Sequence, residues 1–214
     1  MCRLPSPLHI DVERIADAQG ELLVEERILL NGATAVRQRE LIAGRVLGHR
    51  LMARAGYGVG PIKQNAQGAP LWPNGLCGSI AHTSDTVVVA MAPVSSVHSL
   101  GVDIEDGRDL GEAMSNVVDD DEIRAVLNYG LASDAAAAGR LLFSAKEALF
   151  KCQAPLTGNI DLAFDQIRLD VHPNGHLYGV PYPCVDYPTA GVMSRILVVL
   201  KQLQWVTTAI AWLE

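Results

Sequence analysis

The chain has 214 residues, 49% of them hydrophobic, and a formal net charge of −7. That length can bury a substantial core, as one large domain or two smaller halves, and the acidic balance argues against nucleic acid as a partner. No apolar run approaches the ~18 residues that would span a bilayer, so a membrane partner is not expected. The first residues, Met1-Cys2-Arg3-Leu4-Pro5, lack the apolar core and cleavage site of a secretion signal. Cys2, Cys77, Cys152 and Cys184 are scattered without a CxxC pair, which fits reduced thiols of a cytoplasmic protein better than a disulfide frame or a zinc site.

In chain order, residues 21–55 read as helical, with aliphatics near 3.6 spacing, broken into two helices at Asn31-Gly32. Residues 56–76 are rich in Gly and Pro and read as a loop. Strands are predicted near 78–81, 86–92 and 98–104, then helices over 119–130 and 135–152. The acids at 119–122 suit the positive end of a helix dipole. Strands are predicted again at 166–171, 176–180, 194–203 and 205–213, the first two joined by a Pro173-Asn174-Gly175 turn. This order predicts an α+β chain of two halves, residues 1–100 and 101–214, with no repeat visible at the residue level.

The charges are unevenly distributed. Arg37, Arg39, Arg45, Arg50 and Arg54 share their stretch with a single acid, Glu40, whereas acids dominate between Asp103 and Glu122. Asp103 and Glu105 stand two apart in an apolar run, so a strand would point both carboxylates the same way, where a hard cation could take them. The same spacing also fits an edge strand showing two acids to solvent. Two of the chain's four lysines, Lys146 and Lys151, flank Glu147 in Phe143–Lys151. Glu147 and Lys151 are four apart and share a helix face, either as a surface ion pair or as part of a partly buried site. His82 closes a short predicted strand and is either structural or a phosphate donor or general base. The glycines fit neither GxxxxGK[ST] nor GxGxxG.

Taken together, Gly101-Val102-Asp103-Ile104-Glu105 and Phe143-Ser144-Ala145-Lys146-Glu147-Ala148-Leu149-Phe150-Lys151 resemble the paired motifs of the larger, pseudo-dimeric 4′-phosphopantetheinyl transferases. An upstream R-x-x-E-L-x-x-x-R (Arg37, Glu40, Leu41, Arg45) and the run Gly68-Ala69-Pro70-Leu71-Trp72-Pro73-Asn74-Gly75 through Gly78-Ser79-Ile80-Ala81-His82 resemble the branch containing the enterobactin-synthetase transferase. The resemblance runs from about residue 37 to 151. The chain departs from it at Ala81, where Ser or Thr is usual. Gln64 takes the place of a basic residue, with Lys63 one place early, and His49 beside Arg50 replaces an arginine.

The resemblance implies two similar α+β halves forming a pseudo-dimer, with the active site in the cleft between them and a monomeric protein. It implies transfer of 4′-phosphopantetheine from coenzyme A to a serine of an apo acyl or peptidyl carrier protein, with release of 3′,5′-ADP, in secondary metabolism such as siderophore biosynthesis. Asp103, Glu105 and Glu147 would hold Mg²⁺ or Mn²⁺. Glu147 would also serve as the base for the serine, directly or through a water, and Lys151 would meet the charge on the leaving phosphate. Coenzyme A would be gripped by Arg37, Arg45, Lys63, Gln64, the backbone at Ala81, His82, Asp103, Lys146 and Lys151. Two rival readings use the same residues: another Mg²⁺-dependent phosphoryl-transfer enzyme, and a non-catalytic module that binds coenzyme A or a carrier protein.

Overall fold

The computed structural model describes residues 4–105, 117–203 and 206–213. Cys2, residues 106–116 of the acidic stretch and Trp205, the predicted start of the last strand, lie outside the described residues. The chain divides into two compact units that part between Leu100 and Gly101. Both are α+β.

In the N-terminal unit, strand β5 (Thr86–Pro93) lies between β1 (His9–Arg14) and β4 (Leu76–His82), antiparallel to each. The apolar run Val87–Ala92 is buried throughout, as suits the central strand of a covered sheet. Helix α1 (Ala35–Arg54) packs across this sheet, Leu47, Leu51 and Met52 meeting Val87, Val89 and Met91. It starts at Thr34, whose side chain accepts the Arg37 N–H at 3.3 Å. A 3₁₀ helix (Val24–Leu30) precedes it, and the break falls at Asn31 and Gly32, the latter with φ +74°.

The glycine- and proline-rich loop holds a small hairpin that periodicity does not reveal, β2 (Lys63–Gln64) with β3 (Pro70–Leu71). Two-residue strands are too short to alternate visibly. Strand β1 is likewise hidden in the sequence, because its mixed HIDVER run has only one buried position, Val12.

The C-terminal unit carries a five-stranded sheet in the order β6-β10-β9-β8-β7. Its strands are β6 (Ser99–Ile104), β7 (Ile167–Val171), β8 (Leu177–Pro181), β9 (Leu197–Leu203) and β10 (Val206–Leu213). Helix α2 (Asp120–Asn128) is followed by the long α3 (Ala135–Thr157), which covers the sheet. Ala138, Leu142, Ala145, Leu149 and Cys152 recur every three or four residues on α3 and are all fully buried, in a core with Ile167, Leu169, Val198, Ala209 and Ala211.

Helix α3 begins at an Asp134 cap and runs to Thr157, past the predicted end at residue 152, with Gly158 (φ +72°) as its C-cap. Pro155 falls in its last turn, where it does not stop the helix. The short helix α4 (Tyr187–Met193) is hidden in the sequence too, since Pro188 and Gly191 disguise it. Asp186 starts it by accepting the Thr189 N–H at 3.0 Å.

Candidate active site

The site in the C-terminal unit begins with a close approach of backbone to backbone. A Cβ on Gly101 would stand 1.9 Å from the Ala148 carbonyl oxygen and 2.7 Å from the Cys152 nitrogen. Only glycine lets α3 lie so near β6. That contact brings Lys151 Nζ to 2.6 Å from Asp103 Oδ1 and 3.6 Å from Glu147 Oε2. The i,i+4 relation of Glu147 and Lys151 is therefore part of a three-residue cluster across a helix and a strand.

Asp103 is 6% exposed, and its Oδ2 is buried without a hydrogen-bond partner. Burial pushes its carboxyl above the usual range, while Lys151, and then the neighbouring Ser144 hydroxyl, pull it back. Glu147 is also raised, by burial first; Lys151 opposes this and the Asp103 charge adds to it. Glu105 follows the end of β6, partly buried and two residues from Asp103, hence on the same side of the extended chain. Among the described residues, no three His, Cys, Asp or Glu side chains gather closely enough to hold a metal ion.

Lys146 lies elsewhere. It is 2% exposed, and its ammonium donates to Glu122 Oε2 at 2.9 Å, to the Val117 carbonyl at 2.6 Å and to the Phe164 carbonyl at 3.4 Å. Glu122 is buried as well. Its other oxygen accepts the Leu169 N–H at 2.7 Å, and it closes a reciprocal cap with Asp119 at the start of α2. Beside this pair is a small cavity of ≈ 130 Å³, lined in part by Asp119, Asp165 and Tyr182. In the sequence Glu122 stands only as part of a helix start. The Asp119-x-x-Glu122 box was legible, but its bond to a lysine 24 residues away was not. Phe143 and Phe150 both set their rings edge-on to Phe164, which ties this side of α3 to the following loop.

In the N-terminal unit, Arg37 Nη1 lies 2.8 Å from His82 Nε2 and 3.1 Å from Glu40 Oε2. Glu40 Oε2 is 3.5 Å from His82 Nε2, so these three side chains form one cluster at the end of β4. The other ring nitrogen, Nδ1, lies 3.4 Å from the Thr83 carbonyl.

Arg45 is 4% exposed. Its Nε donates to the Ile62 carbonyl at 3.2 Å, and its Nη2 is buried without a partner. Burial pulls its guanidinium down to about 10, Glu26 pushes it up and Arg37 lowers it further, so it stays a cation at neutral pH. Lys63 is exposed on β2. Gln64 donates from its side chain to the Gly68 carbonyl within the hairpin. Ala81 is buried in β4, paired with Val88. Arg50 forms a two-pronged pair with Glu13 at 2.8 and 2.9 Å and donates to the Gln19 carbonyl.

The C-terminal unit thus offers one buried carboxylate, Asp103, and one half-buried carboxylate, Glu147, both facing a single lysine, a charge pattern able to take a cation. The N-terminal unit carries two arginines, a histidine and a lysine, side-chain types that can bind phosphate. Such groups on an α+β scaffold suit a protein that handles a phosphate-bearing ligand.

Comparison with known proteins narrows the class. The family model "4′-phosphopantetheinyl transferase N-terminal domain" matches residues 25–92, and "4′-phosphopantetheinyl transferase superfamily" matches residues 99–187. The 4′-phosphopantetheinyl transferase Svp of Streptomyces mobaraensis is 35% identical over 170 residues, 77% of this chain and 68% of its own length. The 4′-phosphopantetheinyl transferase Npt of Nocardia iowensis is 32% identical over 145 residues, 67% of this chain and 64% of its own. Enterobactin synthase component D of Salmonella typhimurium is 33% identical over 129 residues, 57% of this chain and 50% of its own.

The chain belongs to the 4′-phosphopantetheinyl transferases, an enzyme family. Within it, the chain falls in the branch that includes enterobactin synthase component D. The match spans 64% of the length of Npt and half that of component D. No helix among the described residues is long and apolar enough to cross a membrane.

Proposed function

We propose that the protein moves the 4′-phosphopantetheine of coenzyme A onto a serine hydroxyl of an apo acyl or peptidyl carrier protein, releasing 3′,5′-ADP. The observation that carries this reading is the Asp103–Lys151–Glu147 cluster, in which a buried carboxylate oxygen has no protein partner. The names of Svp and Npt supply the reaction class.

Asp103, Glu105 and Glu147 would hold Mg²⁺ or Mn²⁺, both of which take oxygen donors. Two observations fit a cation there: the orphaned Asp103 Oδ2, and two carboxyls raised by burial, an effect that a nearby positive ion would oppose. When bound, such an ion acts as a Lewis acid on the coenzyme diphosphate. Glu147 takes the proton of the attacking serine hydroxyl; its raised pKa suits a general base, which works best near the ambient pH. The serine oxygen bonds to the phosphorus of the phosphopantetheine, and the phosphorus–oxygen bond to 3′,5′-ADP breaks. Lys151 meets the negative charge gathering on that leaving phosphate.

Coenzyme A also carries a 3′-phosphate, which suits the donors of the N-terminal unit: Arg37, Arg45, Lys63 and His82, with the backbone at Ala81. Lys146 has its ammonium committed to Glu122 and two carbonyls, so its part is to fix α3, on which Glu147 and Lys151 stand. In this reading the protein is a cytoplasmic monomer serving secondary metabolism such as siderophore assembly. The complete Asp103, Glu105, Glu147 and Lys151 set disfavours a module that only binds. The test is intact-mass measurement of an apo carrier protein incubated with the enzyme, coenzyme A and Mg²⁺. A gain of one phosphopantetheine on the carrier, lost when the metal is chelated, is the expected result. Coenzyme binding with no gain on any of several carriers would overturn the reading.

A further inference from the structure

Glu26 has no exposed surface, and the chemistry proposed above makes no use of it. Its carboxylate is nonetheless the hub of the N-terminal unit's polar interior. Oε1 accepts the Ile62 N–H at 2.7 Å and faces His49 Nε2 at 2.8 Å, while Oε2 accepts the Leu23 N–H at 3.0 Å. Arg45 stands one turn before His49 on α1, so the two side chains share a helix face. Arg45 Nε donates to the carbonyl of the same Ile62 whose N–H goes to Glu26. Both backbone groups of Ile62 are therefore held by buried side chains, and the next residue is Lys63.

Gly48 leaves the room this needs: a Cβ there would come within 2.5 Å of Ile62 Cδ1. Arg45 Nη2 is left buried without a partner. An unpaired guanidinium nitrogen in the interior is costly, and that cost is relieved by an anionic ligand.

We infer that Glu26, backed by His49, is a positioning residue for phosphate recognition. It fixes the Ile62 peptide that orients both the Arg45 guanidinium and the Lys63 strand, and its negative charge keeps the buried Arg45 in place without occupying Nη2. This rests on the proposed role of Arg45 and Lys63 at the 3′-phosphate of coenzyme A. A carboxylate buried only for stability would be indifferent to whether the ligand carries that phosphate. A positioning residue would not be.

The test compares coenzyme A with dephospho-coenzyme A, which lacks the 3′-phosphate, by calorimetric titration of the full chain and by transfer kinetics. Wild type should bind coenzyme A at least about tenfold more tightly than the dephospho form, about 1.4 kcal/mol. Glu26→Gln keeps the shape and one acceptor but removes the charge. It should erase most of that preference, weakening coenzyme A about tenfold and the dephospho form by less than about twofold, with the loss in KM rather than kcat. His49→Gln, which leaves Glu26 in place without its partner, should give a smaller loss of the same preference, and serves if Glu26→Gln does not fold. Equal weakening of both ligands, or an unchanged preference in a folded variant, would overturn the inference. A wild type that binds coenzyme A but does not distinguish it from the dephospho form would instead overturn the 3′-phosphate assignment on which the inference stands.

Discussion

Replacing Gly101 by alanine tests whether the approach of α3 to β6 builds the candidate site. The added Cβ would meet the Ala148 oxygen at 1.9 Å, the Cys152 nitrogen at 2.7 Å and the Ala148 carbonyl carbon at 3.0 Å. All three are backbone atoms, so no side-chain rotation relieves the clash. Restoring even a tight 3.0 Å contact with the oxygen requires the helix to retreat by about 1.1 Å, the difference between 3.0 and 1.9 Å. Forcing such overpacking costs about 1–3 kcal/mol. For a chain of this size each kcal/mol lowers the melting midpoint by roughly 2–4 °C.

The same retreat moves Glu147, adjacent to Ala148, and Lys151 away from Asp103. A displacement of about 1 Å at a reacting centre costs on the order of 10²-fold in rate. Gly101→Ala should therefore melt several degrees early yet stay folded at 20 °C, and transfer about a hundredfold more slowly there, as read by carrier mass against time. A variant with wild-type melting and wild-type rate would refute the claim that this contact sets the site.

Three further outcomes are expected. Glu122→Ala leaves the buried Lys146 charge without its counter-ion and should destabilise the fold by about 3–5 kcal/mol in denaturant unfolding, whereas replacing both residues by apolar ones should recover only part of the loss, because the Leu169 and Asp119 N–H groups stay unpaired. His176 is buried with Nε2 unpartnered, and burial, then the His172 charge, lowers its pKa below 6.5. The unfolded chain takes up that proton first, so stability is full above pH 6.5 and falls as the pH drops through the lowered value. Urea midpoints of His176→Gln should thus decline less between pH 7 and pH 5 than those of wild type, and parallel declines would contradict this. Glu147→Gln should keep its circular dichroism spectrum and much of its coenzyme A affinity while losing transfer.

What the sequence made legible follows from range. Helix α1, helix α3 and the buried strands stand out because their apolar residues recur at one period over many positions. The hairpin of β2 and β3, strand β1 and helix α4 do not, being short or disguised by Pro, Gly and charge. Asp103, Glu147 and Lys151 could be picked out by spacing and by the rarity of lysine. That Lys151 reaches across from helix to strand depends on Gly101, whose function is visible only once α3 lies against it. Lys146 sits next to Glu147 in the chain, yet on a helix adjacent residues are about 100° apart, so it meets Glu122 instead. Glu26 gave no signal at all. Its partners at 23, 49 and 62 converge only in the folded unit.

The central claim is that the Asp103–Glu147–Lys151 cluster performs the transfer. It is tested most directly by counting 3′,5′-ADP released per carrier modified, with coenzyme A and Mg²⁺, for wild type and Glu147→Gln at equal folded concentration. The expected result is one 3′,5′-ADP for each carrier that gains a phosphopantetheine with wild type, and neither product with the variant. Near-normal turnover by Glu147→Gln, or 3′,5′-ADP released without modification of the carrier, would contradict it.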